Sequence, residues 1–297
     1  MGPGPDDEPD TGLGSVLGVR NSRVKTARRF HRRAVRMQER MFLVEGPKAL
    51  AEALDVPGCL VEVFVAPEAA TVHATLLTAV EEAGAVVRRV DDAALASLAD
   101  TVTPQGVVAV CRFLDRPLAH VLDGLAEHAA GTPGESLPPV VAVCADVRDP
   151  GNAGTVIRCA DAAGAAAAVF AGTSVDPYNP KAVRASVGSL FHLPVARTDD
   201  VLEPIETLRA AGLQVLAADG SGPDDLEELA DAGVLGVATA WVFGNEAHGL
   251  DPAIAQACDR RVAIPIHGRA ESLNLATAAA LCLYASARAL RRSSERR

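Results

Sequence analysis

An α/β architecture in two units, the second built on a mainly parallel sheet, is what the sequence predicts, and three observations predict it. Apolar strand-like runs alternate with helical patterns along most of the 297 residues, the order expected when helices cover a sheet. A Gly/Pro-rich stretch, "GTPGESLPP", parts an earlier set of elements from a later one. The later strands are near-continuous apolar runs, which fits strands buried on both faces.

Taken in order, residues 1–18 read as a disordered, acidic, Pro/Gly-rich tail that lacks the basic and apolar regions of a signal peptide. Val24 to Leu54 is helical in pattern, interrupted by "FLVEGPKAL", where Phe42-Leu43-Val44 predicts a short strand and Pro47 suits a first helical turn. "CLVEVFVAP" predicts a strand, "ATLLTAVEEAG" a helix ending near Gly84, "AVVRRVD" a strand, "AALASLAD" a helix and "GVVAVCRF" a strand. These make residues 19–113 a basic helix and a small α/β domain. Residues 114–138, an amphipathic segment followed by the Gly/Pro-rich stretch, read as a linker. Residues 139–297 form the larger domain. Its strands are expected at "VVAVCA", "AAAAVF", "LQVLAAD", "ATAWVFG" and "RRVAIPI", with a closing helix from about Leu273 to Arg291.

Composition narrows the function classes. The chain is 49% apolar and 22% charged, as in ordinary globular proteins. Six cysteines show no C-x-x-C pair and no histidine at ligand spacing, so reduced thiols in a cytoplasmic protein are expected and no metal is. "LNLATAAALCLYASARAL" is too short between Asn274 and Arg288 to span a membrane comfortably. The net charge of −10 hides an uneven distribution. Arg20, Arg23, Lys25, Arg28, Arg29, Arg32, Arg33, Arg36 and Arg40 face only Glu39, and the C-terminus adds Arg288, Arg291, Arg292, Arg296 and Arg297. An acidic body with basic ends suits a polyanionic partner or a solvated helix face.

Chemistry gathers in loops at strand ends, where open parallel sheets bind ligands. "DPGNAGTVIR" carries Asn152 and Arg158; "DGSG" carries Gly220; "FGNEAHGL" carries Asn245, Glu246 and His248; "IPIHGRAESLN" carries His267, Ser272 and Asn274. The first loop has G-x-x-G, not the dinucleotide fingerprint; no G-K-[ST] marks a P-loop, and no G-x-S-x-G elbow marks a serine hydrolase.

Three of these stretches together resemble the SpoU (TrmH-type) branch of the SPOUT RNA 2'-O-ribose methyltransferases. N-x-G-x-x-x-R is matched by Asn152, Gly154 and Arg158; G-x-E-x-x-G by Gly244, Glu246 and Gly249; I-P followed by S-L-N by Ile264-Pro265 and Ser272-Leu273-Asn274. "FLVEGPKALAEAL" and "DTVTPQGVVAV" are similar to the small RNA substrate-binding domain that precedes this catalytic domain in many members. The resemblance implies a sheet with a deep trefoil knot, a homodimer, and 2'-O-methylation of RNA, 23S ribosomal RNA first, from S-adenosylmethionine. The same reaction on transfer RNA, a resistance methylation of ribosomal RNA, and a non-catalytic RNA-binding assembly factor are the alternatives.

The resemblance further implies residue roles. Asn152, Arg158, Glu246, Ser272 and Asn274 form the catalytic set. Gly220, Gly244, Ile264, Ile266, Leu273 and Ala276 hold the cofactor by backbone and apolar contacts. Arg28, Arg29, Arg32, Arg33, Lys181 and Arg184 touch RNA. Arg158 stabilises alkoxide character on the ribose, because a cationic guanidinium, which has donors and no acceptor, is a poor base. Asn152 fixes Arg158 or the acceptor, a phosphate oxygen or Glu246 takes the proton, and Ser272 and Asn274 shape the pocket; read from the residues alone, Ser272 is equally a cap for the last helix.

Overall fold

The computed structural model describes residues 15–129 and 137–295. Two compact units form, one comprising residues up to Leu114 together with Tyr178–Phe191, the other Asp115–Pro177 and His192 onward.

The smaller unit contains α1 (Ser22–Arg28), α2 (Arg33–Glu39), β1 (Met41–Glu45), α3 (Pro47–Leu54), β2 (Leu60–Val65), α4 (Pro67–Val72), α5 (Ala74–Glu82), β3 (Val86–Arg89), α6 (Asp92–Leu98) and β4 (Val107–Arg112). Its sheet runs β1-β4-β2-β3, with β4 antiparallel to both neighbours and β3 parallel to β2. Pro47 does occupy the first turn of α3, where its missing N–H costs nothing.

The larger unit contains α7 (Leu118–Ala129), β5 (Val140–Ala145), α8 (Pro150–Ala163) and β6 (Ala167–Ala171). After α9 (Pro180–Ser186), which belongs to the smaller unit, follow β7 (Val195–Thr198), α10 (Leu202–Ala210), β8 (Gln214–Ala218) and β9 (Asp224–Asp225). Then come α11 (Leu226–Asp231), β10 (Thr239–Phe243), α12 (Pro252–Ala257), β11 (Arg260–Ala263) and α13 (Leu275–Glu295). The sheet order is β7-β6-β5-β10-β8-β11-β9, and every pairing is parallel. From β5 the chain runs outward through β6 to β7, then returns to build the other half from β8. The order therefore switches between β5 and β10, and the crevice at their carboxyl ends is where such sheets bind ligands.

One face of this sheet buries Val141, Val143, Val169, Val215 and Val242 against the covering helices, which contribute Ile205 and Leu208 from α10 and Leu118, Val121 and Leu125 from α7. On α13, Ala279, Cys282, Leu283 and Ser286 are buried, and Ser286 Oγ accepts a 2.9 Å hydrogen bond from the indole N–H of fully buried Trp241. Small residues let α13 lie close, which is why a chain with so few aromatics still fills its core.

Four expectations change. The basic run is not one helix: a 3₁₀ turn at Arg29–His31 and an extended Arg32 (φ −88°, ψ 125°) separate α1 from α2. The break lets Phe30 bury, and the buried Arg36 guanidinium donates to the carbonyls of Phe30 and His31 at 2.9 and 2.8 Å. Of the predicted tail, residues 1–14 lie outside the described residues, whereas Leu17 is buried and its N–H donates to Arg89 O at 2.9 Å. Residues 114–138 are not simply a linker, because Leu118, Val121 and Leu125 make α7 part of the larger core; residues 130–136 lie outside the described residues. Finally, Tyr178–Phe191 leaves the larger unit. The Tyr178 ring stacks on Phe113 with centroids 3.9 Å apart, and its hydroxyl accepts from Leu114 N at 2.7 Å.

All six cysteines are free, and Cys59, Cys111, Cys144 and Cys282 are buried. Burial, aided by the Glu246 charge, pushes the Cys144 thiol up to about 12, so it stays protonated.

Candidate active site

Three loops meet at the switch point, each held by its own local chemistry. After β5, Asp146 adopts a left-handed backbone (φ 56°) that turns the chain sharply. Its carboxylate accepts from Thr173 N at 2.7 Å, while its carbonyl accepts from Asn245 Nδ2 at 2.9 Å. Asp149 then caps α8 by accepting from Asn152 N at 2.8 Å, with Pro150 in the first turn. This places the Asn152 amide at the start of the helix, facing the crevice.

After β10, the chain reverses through Asn245–Gly249, whose backbones exchange two 2.8 Å hydrogen bonds. Asn245 Oδ1 also accepts from Ala247 N and His248 N at 2.9 and 3.3 Å, fixing the turn. Gly244 must be glycine, since a Cβ there would lie 2.4 Å from the Gly249 carbonyl carbon. The turn delivers Glu246 to the foot of α8. Its carboxylate accepts from Arg148 N and Asp149 N, both at 3.0 Å, and from Asn152 Nδ2 at 3.1 Å.

The third loop ends at α13, and its cap is Asn274 rather than Ser272. Asn274 Oδ1 accepts from Ala276 N at 2.9 Å and Thr277 N at 3.3 Å, leaving Nδ2 to donate to Asn152 Oδ1 at 3.0 Å. Asn274, Asn152 and Glu246 thus form one relay in which the acceptor-only carboxylate fixes which way each amide points.

Electrostatics follow from this geometry. Partial burial acts to raise the Glu246 carboxyl, but the amides of Arg148 and Asp149 and the Asn152 side chain together outweigh it and hold it below its ordinary value. A carboxylate so stabilised is a weaker base than a free one. Asn152 is bonded to Asn274 and Glu246 rather than to Arg158.

Of the five expected catalytic residues, the structure joins three and leaves two apart. Arg158 lies six residues beyond Asn152, roughly 9 Å along the helix axis. It is exposed and makes no hydrogen bond or ion pair among the described residues. Ser272 is exposed and likewise unbonded among them. The expected cofactor residues fall at the carboxyl ends of adjacent strands: Gly220 after β8, Gly244 after β10, Ile264 and Ile266 after β11, with Leu273 and Ala276 at the start of α13. Asp219 pins the Gly220 loop beneath β11 through Arg261 (2.8 Å) and Ser221 N (2.9 Å). Ile266 and Leu273 stand 38% and 36% exposed. Gly220 has open space around it. No group of His, Cys, Asp or Glu among the described residues could hold a metal ion.

Residues the sequence did not single out include Asp146, whose left-handed backbone leaves no sequence signature, and Asp149, whose Asp-Pro capping pattern does. Arg148 and His248 line an open groove beside Asn245 and Glu246. Among the RNA-contact candidates, Arg28, Arg29, Arg32 and Arg33 are exposed and unpaired among the described residues. Arg184, by contrast, is engaged by Asp100, and it and Lys181 sit on α9 in the smaller unit.

Two family models match the chain. The model described as the SpoU rRNA Methylase family matches residues 139–284, and that of the MRM3-like substrate binding domain matches residues 21–109. The chain is 32% identical to the 23S rRNA (guanosine(2553)-2'-O)-methyltransferase RlmP of Bacillus subtilis, covering 91% of this chain and 97% of that one. It resembles the crystal structure of an AdoMet-bound rRNA methyltransferase from Sinorhizobium meliloti (TM-score 0.76, 29% identity, 92% and 98% of the chains). The SpoU methyltransferase AviRb from Streptomyces viridochromogenes, in complex with the cofactor AdoMet, matches equally (TM-score 0.76, 29% identity, 92% and 100%).

Proposed function

The chain belongs to the SpoU rRNA methylase family, and we propose that it transfers a methyl group from S-adenosylmethionine to a ribose 2'-hydroxyl of large-subunit ribosomal RNA. One observation carries the reading: the Asn274–Asn152–Glu246 relay, assembled from three separate loops at the switch point of a parallel sheet. Ribosomal RNA is favoured because a relative that the chain matches nearly end to end is a 23S rRNA methyltransferase.

The strand ends suit the donor: exposed Ile266 and Leu273 offer apolar contact and Gly220 has open space beside it, with Gly244, Ile264 and Ala276 as the further expected contacts. When bound, S-adenosylmethionine supplies an electrophilic methyl group on a sulfonium. The protein then has to orient the acceptor and manage its proton, and orientation alone can account for about 7–11 kcal/mol of such barriers. The relay holds the ribose-facing amides rigid. The Arg158 guanidinium stabilises the developing alkoxide, and the proton leaves by a substrate phosphate oxygen, since Glu246 is already occupied by three donors.

Arg158 reaches that site in a homodimer. It is exposed on α8, which packs against α13, and α13 presents Leu281 and Tyr284 at 44% and 52% exposure. Tyr284 hydroxyl donates to Ala162 O on α8 at 3.4 Å, so cation and apolar residues share one surface. A two-fold axis through such a self-complementary patch brings Arg158 of one subunit toward the relay of the other. The trefoil knot and a cytoplasmic location belong to the same reading; no helix among the described residues is long and apolar enough to cross a membrane.

The test is to incubate the protein with tritiated S-adenosylmethionine and 23S rRNA transcript, then hydrolyse the product with alkali. The reading expects label in an alkali-resistant dinucleotide, the mark of a blocked 2'-oxygen. Label on a base, or none, would refute it.

A further inference from the structure

We infer that the smaller unit holds a pocket for one unstacked nucleobase of the RNA, separate from the site of methyl transfer; the inference rests on the RNA-methyltransferase reading above. A cavity of about 170 Å³ opens among β1, α3 and α9, with room for a single planar base. Its floor is apolar and buried: Leu43, Leu98, Val108 and Val183.

The rim divides into committed and uncommitted groups. Arg184 pairs with Asp100, and the Glu45 carboxylate accepts from Asp100 N at 3.1 Å and Thr101 N at 3.3 Å. Lys48 and Gln105 line the same cavity, are exposed, and make no hydrogen bond or ion pair among the described residues. Gln105 has its place because residue 46 is glycine (φ +94°): a Cβ there would sit 2.8 Å from Gln105 Oε1.

At the mouth stands Val187, a β-branched residue in the left-handed region (φ 51°) and 51% exposed. That conformation is costly for valine; the residue closes α9, where its N–H donates to Arg184 O at 3.2 Å, and leaves its methyls exposed. Strain retained at a ligand-facing position is a feature of binding sites. His31 also lines the cavity, and its neighbours in the chain include the exposed, unpaired Arg29 and Arg32.

The parts match one nucleotide. An apolar floor and the Val187 methyls take the faces of a base, the Gln105 amide offers a donor and an acceptor to its edge, and the Lys48 ammonium meets the adjoining phosphate. Sequence-reading of RNA works on such splayed-out, unpaired bases.

The test uses the full chain with 23S rRNA transcript at fixed salt. Val187→Gly removes the methyls while relieving the backbone, so its melting temperature should equal or exceed that of the wild type. Gln105→Ala removes the edge contact from an exposed position. Each should weaken RNA binding about five- to tenfold, within the range of one lost base contact. S-adenosylmethionine affinity and the salt dependence of RNA binding should stay as in the wild type, because no cation is removed. Unchanged RNA affinity in both variants would overturn the pocket while wild-type methylation still stood. A wild-type chain that neither binds nor methylates RNA would overturn both.

Discussion

The α1–α2 surface and the switch-point crevice use polar groups in opposite ways. Arg28, Arg29, Arg32 and Arg33 are exposed and unpaired among the described residues. Asn152, Glu246 and Asn274 are bonded to one another and to backbone amides at 2.9–3.3 Å. Free cations attract a polyanion from a distance and tolerate many backbone paths. Bonded amides give up that reach for position. Under the proposed function, capture and orientation of one RNA separate along the chain, and variants in the two regions should fail differently.

The largest effect should come from breaking the relay. Glu246→Ala leaves two backbone N–H groups and the Asn152 amide without their acceptor. Charge-assisted bonds of this kind are each worth about 1.5–3 kcal/mol, so methyl transfer should fall by at least about tenfold and up to about a hundredfold. RNA affinity should change less than about twofold, because the relay orients substrate rather than capturing it. A variant that lost RNA binding and kept turnover would invert the comparison.

Next in size is the cationic surface. Replacing Arg28, Arg29, Arg32 and Arg33 together by Gln should leave S-adenosylmethionine binding intact. If all four reach phosphates, the log–log salt slope of RNA binding should flatten by about 3 to 4. An unchanged slope would assign these arginines to solvation alone.

The smallest effect concerns pH. The Glu246 carboxyl is held below its ordinary value of 4.5, so its stabilising contribution is complete above that value. It is lost as pH falls through the lowered folded value. Acid unfolding followed by circular dichroism should therefore show a steeper loss below about pH 4.5 in the wild type than in Glu246→Gln. Identical acid limbs would mean that the relay adds nothing to stability.

Much of this fold is legible because burial writes itself into apolar runs. Val140–Ala145, Thr239–Phe243 and Gln214–Ala218 all lie within runs expected to be strands. The shorter edges are not legible: β7 (Val195–Thr198) ends in Arg-Thr, and β9 is Asp224–Asp225, two acids that pair only because β11 lies alongside. The break at Arg32 is equally hidden, since it depends on where Phe30 and Arg36 find burial. In the site, the motif residues are visible but not their bonding. Ser272 has the composition of a cap, yet Asn274 does the capping, and Glu246 has that of a base, yet three donors occupy it.

Arg158 is the point on which the account turns, because the relay of its own chain makes no hydrogen bond with it. In the proposed dimer, Arg158→Ala and Asn152→Ala proteins should each lose most of their methyl transfer while still binding S-adenosylmethionine. Mixed and allowed to exchange subunits, they should recover roughly a quarter of wild-type methyl transfer, since half the dimers then hold one intact composite site. No recovery on verified exchange would contradict a guanidinium supplied across the two-fold axis.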